Sequence, residues 1–452
     1  MASFSAPSVH LLGSIPPRLT YLVLFLCWLS ILSEGYDVGV IGAIVPALIT
    51  DPNWALTPIQ IGELSSAALF GTLFGAYLIG VVSDLVGRKP LLLLCVALFS
   101  ASMVAAALAP SLGWFIAARF IGGLGLGGVI SVAAALTIEY SPPHKRNLNF
   151  ALMYSGYPLG VLLASLSSMA WLQAHGWQLI VALGALPLVL LPVIARLLPE
   201  SIEFLVQQGR LERAQRLATR LGVSLNSSAN LPRTRSEGPG FKAVFHEVFV
   251  NNGYGTACLW VTQFMAVMVM YGLGTWLPQI MRNNGYDLGS SLSFLAVYSL
   301  AAAVGGVFIG RIADRFGERA TIAFFFVVGA AGIAALSLKL SMGWSYLFAA
   351  LAGVGSVGVA LVLLGYISNY YASVARGSAT GWAVGVGRFG AMTGPMLGGH
   401  IAQAGIPLFW NFLIFASAAL IAALAIICSP LPHARRTATA EPQANAGAAA
   451  SN

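Results

Sequence analysis

Two carboxyl groups lie three residues apart inside a long apolar run, in Ser33-Glu34-Gly35-Tyr36-Asp37-Val38-Gly39-Val40. On a helix, Glu34 and Asp37 share one face with their Cβ atoms about 5–6 Å apart, and Tyr36 is turned roughly 100° from Asp37. Carboxylates this close do not both ionise easily, so one takes a proton at modest cost near neutral pH. An ionised, unpaired acid deep in an apolar span costs at least about 2.5 kcal/mol, so both acids are expected to face other protein and to titrate upward. The chemistry on offer is proton carriage. The competing reading is that one acid pairs permanently with an arginine and locks two helices. Two arginines, Arg119 and Arg388, also sit well inside apolar runs. Guanidinium keeps its charge and presents a planar fork that fits a carboxylate through two bonds. Arg388, in Gly385-Val-Gly387-Arg388, has small neighbours that let a ligand or another backbone approach, and is the first candidate to hold an anion. Arg119 either relays charge to Asp37 or Glu34 or touches the ligand itself.

The elements that position these groups follow from composition. Of 452 residues, 58% are hydrophobic and 8% charged, and the mean hydropathy is +0.82, against about 25% charged residues in a soluble chain. Apolar stretches of about 20 residues, enough to cross a hydrocarbon core of about 30 Å as helices, recur about twelve times. They extend over 19–49, 58–82, 90–110, 114–140, 149–173 and 177–198, then 252–281, 290–312, 320–340, 344–370, 379–403 and 407–429. Basic residues collect on alternate loops: Arg88 and Lys89, Lys145 and Arg146, the cluster from Arg196 to Lys242, Arg311 to Arg319, Arg376, and Arg435 with Arg436. The opposite side holds Arg282 and Lys339. Both termini are therefore expected on the cytoplasmic side, with no removable leader in Met1–Arg18. The net charge of +8 belongs to this topology and to anionic lipid, not to nucleic acid. Cys27, Cys95, Cys258 and Cys428 lie in expected spans without metal-ligand spacing.

The chain divides into a short N-terminus (1–18), a six-span bundle (19–198), a polar connector (199–251), a second six-span bundle (252–430) and a tail (431–452) with no apolar period, expected to be disordered. Within the connector, SIEFLVQQGRLERAQRLATRLG reads as a surface helix and SLNSSANLPRTRSEGPG as a loop. A repeat supports the two halves. Gly80-Val-Val-Ser-Asp84-Leu-Val-Gly87-Arg88-Lys89 follows the second span, and Gly310-Arg-Ile-Ala-Asp314-Arg-Phe-Gly317-Glu-Arg319 follows the eighth. The glycines permit tight turns, and Asp84 and Asp314 can pair with basic groups or helix ends as a gate, or simply be solvated.

G-x-x-x-D-x-x-G-R-K after span two resembles the signature of the major facilitator superfamily. EGYDVGVIGAIVPAL in span one, RFIGGLGLGG and TIEY in span four, PESIEFL after span six, and YYASVARGSATGWAVGVGRFGAMTGPMLGG in span eleven together resemble its aromatic acid:proton symporters. DPNWALTPIQIGELSSAALFG and GTWLPQIMRNNGYDLGSSLSFL are most similar to benzoate transporters. The family usually has Asp where Glu34 stands, while Asp37 matches in type. Arg119 opens the R-x-x-x-G-x-x pattern common to proton-coupled members, and Glu139 and Arg376 match positions near cytoplasmic span ends, where gate or cap ion pairs are the plainer role.

The resemblance implies an all-α membrane protein, with twelve transmembrane helices in two pseudo-symmetric six-helix bundles. It also implies a secondary transporter, not an enzyme, that imports an aromatic carboxylate of benzoate or hydroxybenzoate type with protons, through the inner (plasma) membrane and by alternating access. A monomer suffices, and no cofactor or metal is expected beyond the coupling proton. Asp37, Glu34 and Arg119 would couple the proton and Arg388 would bind substrate. Tyr36, Tyr157 and Trp382 would line an apolar, π-rich slot for the ring. Gly80, Asp84, Gly87, Arg88, Asp314, Glu139 and Arg376 would act in gating. The alternatives are porters of another organic anion such as muconate or of a sugar or polyol, and an efflux antiporter. The spans are poor in the Asn and Gln that sugars want, and span five lacks the full efflux pattern G-x-x-x-G-P-x-x-G-G. A membrane enzyme would need a catalytic constellation, and neither G-x-S-x-G nor a phosphate loop is present.

Overall fold

A computed structural model of the chain describes residues 15–223, 241–338, 340–372 and 375–431. Every regular element among them is helical, as lipid demands when it offers backbone N–H and C=O groups no partner. The order is α1 (Pro17–Thr50), α2 (Pro58–Val86), α3 (Arg88–Ala107), α4 (Leu112–Glu139), α5 (Arg146–Tyr154), α6 (Gly156–Leu183) and α7 (Leu186–Leu197), then two short helices, α8 (Ile202–Gln207) and α9 (Leu211–Leu221). The second part holds α10 (Phe241–Phe245), α11 (Gly253–Asn283), α12 (Leu288–Phe316), α13 (Glu318–Ala335), α14 (Met342–Gly353), α15 (Val359–Tyr370), α16 (Arg376–Gln403) and α17 (Leu408–Cys428).

Ten runs among the described residues are long and apolar enough to cross a bilayer. One of them, 148–197, has 50 residues, too many for one crossing at 1.5 Å each, and Gly176 (φ 77) breaks it in two. α16 has the length of a span, 28 residues, but glycines, Arg388 and His400 dilute its apolar character. Splitting the long run and including α16 gives the twelve crossings expected. The connector differs from the single surface helix expected, because the chain turns at Gly209 (φ 70) and Arg210 and forms α8 and α9. The loop expected over 224–240, the first 14 residues, the tail beyond 431, and the side chains at Gly80 and Asp84 lie outside the described residues.

The helices form two compact units, Met1–Ala47 with Ala67–Ser236, and Leu48–Ser66 with Glu237–Asn452. In the first, α1 and α6 touch backbone to backbone: a methyl group on Gly35 would overlap the Tyr157 carbonyl, and one on Gly160 the Leu32 carbonyl. This close approach fixes the rotation of α1. Asp37, two residues and about 200° on from Gly35, must turn away from α6.

In the second unit, α11 and α16 run side by side in the same direction, since Gly390 meets Phe264, Gly394 meets Met268, and Gly398 meets Trp276. The Trp276 indole N–H donates to the Pro395 carbonyl at 2.8 Å, which pins the register. At the other end of α2, Thr57 and Gln60 exchange side-chain hydrogen bonds with each other's N–H groups (3.3 and 2.9 Å), a reciprocal cap that starts the helix. Ser66 then donates to the Met392 carbonyl of α16 at 2.9 Å.

Candidate functional site

The first unit holds the acids. Asp37 is 0% exposed and Arg119, on α4, 2% exposed; Arg119 Nη1 donates to Asp37 Oδ1 at 2.6 Å. Arg119 Nη2 donates to the Asp37 carbonyl at 3.2 Å, and Nη1 also reaches Met103 Sδ on α3 at 3.2 Å. The contact is thus a buried ion pair that also grips the α1 backbone. It leaves two atoms over: Asp37 Oδ2 and Arg119 Nε are buried without a hydrogen-bond partner among the described residues. The Asp37 carboxylate thus has one oxygen held by the arginine and the other left without a hydrogen bond among the described residues. Glu34 is buried on the same helix and lies within electrostatic reach of the Cys95 thiol on α3.

The Tyr36 hydroxyl is engaged within the protein. It donates to the Ile180 carbonyl (2.9 Å) and meets Ser167 Oγ (3.0 Å), both on α6. Tyr157 is buried against Tyr154, with ring centroids 6.1 Å apart. What these two tyrosines visibly do is join α1 to α6 and stack within α5 and α6.

The second unit holds Arg388. Its guanidinium makes no hydrogen bond or ion pair among the described residues, and its Nε is buried without a partner. A cation that deep in a span does not face lipid. The face of α16 that carries it is bare: side-chain positions at Gly377, Gly381 and Gly385 meet open space, and helical geometry puts Arg388 at the head of that stripe. One residue away, Gly387 lies against the carboxamide of Gln263 on α11. Trp382 is half-buried, its ring 5.4 Å from Phe249, which in turn contacts Trp260 edge-on at 5.6 Å. Gln263 was not among the candidates read from the sequence; the signal was an amide set deep in a largely apolar span.

The loop residues are treated unequally by the two units. In the first, Gly87 adopts φ 109, and a side chain there would crowd Glu200 Oε2 and the Phe204 ring. Arg88 then pairs with Glu139 at 2.6 Å and Glu203 at 3.3 Å. Glu139 also accepts from the Ser201 hydroxyl (2.6 Å) and the Glu203 N–H (2.9 Å), while Glu200 Oε1 accepts from the N–H of Lys89 (3.1 Å). Tyr140 donates to the Glu200 carbonyl at 2.6 Å. PESIEFL is thus the clasp for the loop after α2, and its Glu200, Ser201 and Glu203 were not singled out by sequence. In the second unit, Gly317 has φ 95, yet Asp314 is exposed beside a cavity of about 400 Å³ shared with Arg315, Glu318 and Arg319. Arg319 donates to the Ile427 carbonyl, and Arg376 is exposed without an ion pair among the described residues. Those residues contain no cluster of three or more groups that could hold a metal ion.

Comparison with known proteins agrees with this arrangement. The Major Facilitator Superfamily profile matches residues 27–297 and 259–450. The benzoate transport protein of Acinetobacter baylyi is 32% identical over 93% of this chain and 91% of its own. The gallate transporter of Pseudomonas putida is 32% identical over 93% of each chain, and a 4-hydroxybenzoate transporter of Pseudomonas aeruginosa 32% identical over 86% and 87%. Among solved structures, the xylose transporter of E. coli superposes with a TM-score of 0.71 at 18% identity, covering 92% of this chain and 97% of that one, which is a likeness of fold. A multi-pass membrane protein of transporter fold, with a buried acid–arginine pair in one unit and, in the other, an intramembrane arginine without a partner among the described residues, this chain belongs to the Major Facilitator Superfamily, in the branch that holds these aromatic-acid transporters.

Proposed function

We propose that the protein is a proton-coupled importer of an aromatic carboxylate of the benzoate or hydroxybenzoate type, working by alternating access in the bacterial inner membrane as a monomer, with both termini cytoplasmic. One contrast carries the reading: Arg119 is neutralised by Asp37 at 2.6 Å, whereas Arg388 has no counter-ion among the described residues. A permanent cation without a partner is the natural anchor for a carboxylate, and the relatives' names give the ring.

The proton enters at the other unit. Protonation of Asp37 at its unclaimed Oδ2 loosens the hold of Arg119, so occupancy of the acid biases the packing of α1 against α4. Glu34 is a second store for the proton on the same helix. A lone anion moving inward works against an inside-negative potential by about 2.3 kcal/mol per charge per 100 mV. One accompanying proton cancels that work, and a second makes entry electrogenic.

The test is uptake of labelled benzoate and 4-hydroxybenzoate into proteoliposomes with the outside acid. Gradient-driven accumulation is expected in the wild type. Asp37→Asn is expected to abolish it while leaving counterflow exchange, and Arg388→Ala to abolish both. Wild-type liposomes that ignore every aromatic acid at every pH would sink the reading.

A further inference from the structure

We infer that Gln263 is a specificity determinant that accepts the ring hydroxyl of a hydroxylated aromatic carboxylate, with Trp260 completing the contact. The inference rests on the reading of Arg388 as the carboxylate site and narrows its substrate class from aromatic carboxylates to phenolic ones.

Gln263 is 8% exposed, and its Oε1 has no hydrogen-bond partner among the described residues. Its carboxamide lies 2.9 Å from the position a side chain would take on Gly387, the residue before Arg388. One helical turn earlier on α11, the indole Nε1 of Trp260 is likewise buried and unpartnered. Leaving such groups unmatched costs stability in the empty protein, and native interiors rarely carry several in one place. Their chemistry is complementary: an amide oxygen only accepts and an indole N–H only donates, whereas a hydroxyl does both. A carboxylate cannot satisfy Oε1, because both of its oxygens are acceptors. A bare benzoate ring has nothing to offer it either. A phenol held on a rigid ring, its carboxylate on Arg388, supplies the missing donor and an acceptor for Trp260 in one group. Gly387 packs against the amide and Arg388 follows it on α16, so the two groups lie on adjoining helices of one unit.

The experiment is equilibrium binding of benzoate and of 2-, 3- and 4-hydroxybenzoate to the purified full-length protein in nanodiscs. Wild type is expected to bind at least one hydroxybenzoate about tenfold or more tighter than benzoate, as sites built around a hydroxyl do. Gln263→Met keeps the side-chain length without the amide, and is expected to bring that ratio to about one, with thermal unfolding of the variant in nanodiscs as the folding control. Trp260→Phe is expected to lower the same ratio about threefold, and it decides the matter if Gln263→Met does not fold. A wild type that prefers benzoate, or a ratio untouched in both variants, would overturn the inference while leaving the proposed function standing. Failure of the wild type to bind any of the four acids would overturn the function and this inference together.

Discussion

The two arginines set within apolar spans are held in opposite ways. Arg119 is locked between α4 and α1 by the Asp37 carboxylate and carbonyl, at 2% exposure. Arg388 stands on the bare stripe of α16 with no partner among the described residues. In a low-dielectric interior a paired charge is part of the packing, and removing one member strands the other; an unpaired charge is a cost kept for a ligand. The same residue type is thus paired in one unit and without a partner among the described residues in the other, which the proposed function reads as a receptor, and variants that exchange these behaviours test the distinction.

The largest effect is expected from Arg119→Met. It strands a buried carboxylate and should destabilise the protein by about 3–5 kcal/mol, with Asp37→Leu added in the same chain recovering most of the loss. Thermal unfolding in detergent measures both, and a double variant as unstable as the single one would show that the pair is not the unit of stability. Arg388→Met is next. Binding of an aromatic carboxylate should weaken by about 2–5 kcal/mol, while thermal stability stays level or rises, since no internal partner is stranded. If Arg388→Met unfolds as readily as Arg119→Met, the contrast between the two sites collapses.

Smaller effects come from two arginines at the starts of helices, Arg88 on α3 and Arg376 on α16, which sharpen the same comparison. Arg88 is clasped by Glu139 and Glu203 at the junction of α2 and α3, whereas Arg376 is exposed without an ion pair among the described residues. Arg88→Ala should cost about 1–3 kcal/mol, because it strands the buried Glu139 carboxylate. Arg376→Ala should stay within about 0.5 kcal/mol. Equal losses would mean that the clasp around Arg88 adds nothing to stability. Asp287 gives the smallest effect. Its side chain accepts the Ser290 N–H to cap α12, and the hydrogen bonds from Ser290 hold its carboxyl below the usual range. Its contribution is therefore present above the ordinary carboxylate range and lost as pH falls through the lowered value. Asp287→Ala should remove that acid-dependent component of α12 amide protection and leave the neutral-pH transport rate unchanged.

Much of this was legible from residue types. The polar break at the connector, the duplicated G-x-x-x-D motif and the recurrence of apolar spans foretold an all-helical chain of twelve crossings in two repeats, because lipid leaves the backbone no other choice. The run 148–197, read as the two spans 149–173 and 177–198, is broken in the structure at Gly176. α16, read as the span 379–403 despite its glycines, is a continuous helix that packing against α11 sustains. Of the candidate ligand residues, Tyr36 shows what spacing leaves open: rotation of α1 against α6 sends its hydroxyl to Ile180 and Ser167.

What the sequence determined by itself was chemistry and inventory: two acids and two arginines in places where charge is costly, and the elements that carry them. Only the tertiary structure decided the pairing. Arg119 and Asp37 are 82 positions apart, and nothing in their spacing distinguishes Arg119 from Arg388 as the partner. The backbone contact at Gly35 aims Asp37 away from α6, and the α11–α16 register brings Gln263 beside Gly387. Pairing depends on how helices rotate about their own axes, and that rotation is fixed by side-chain volumes on other helices, far away in the chain.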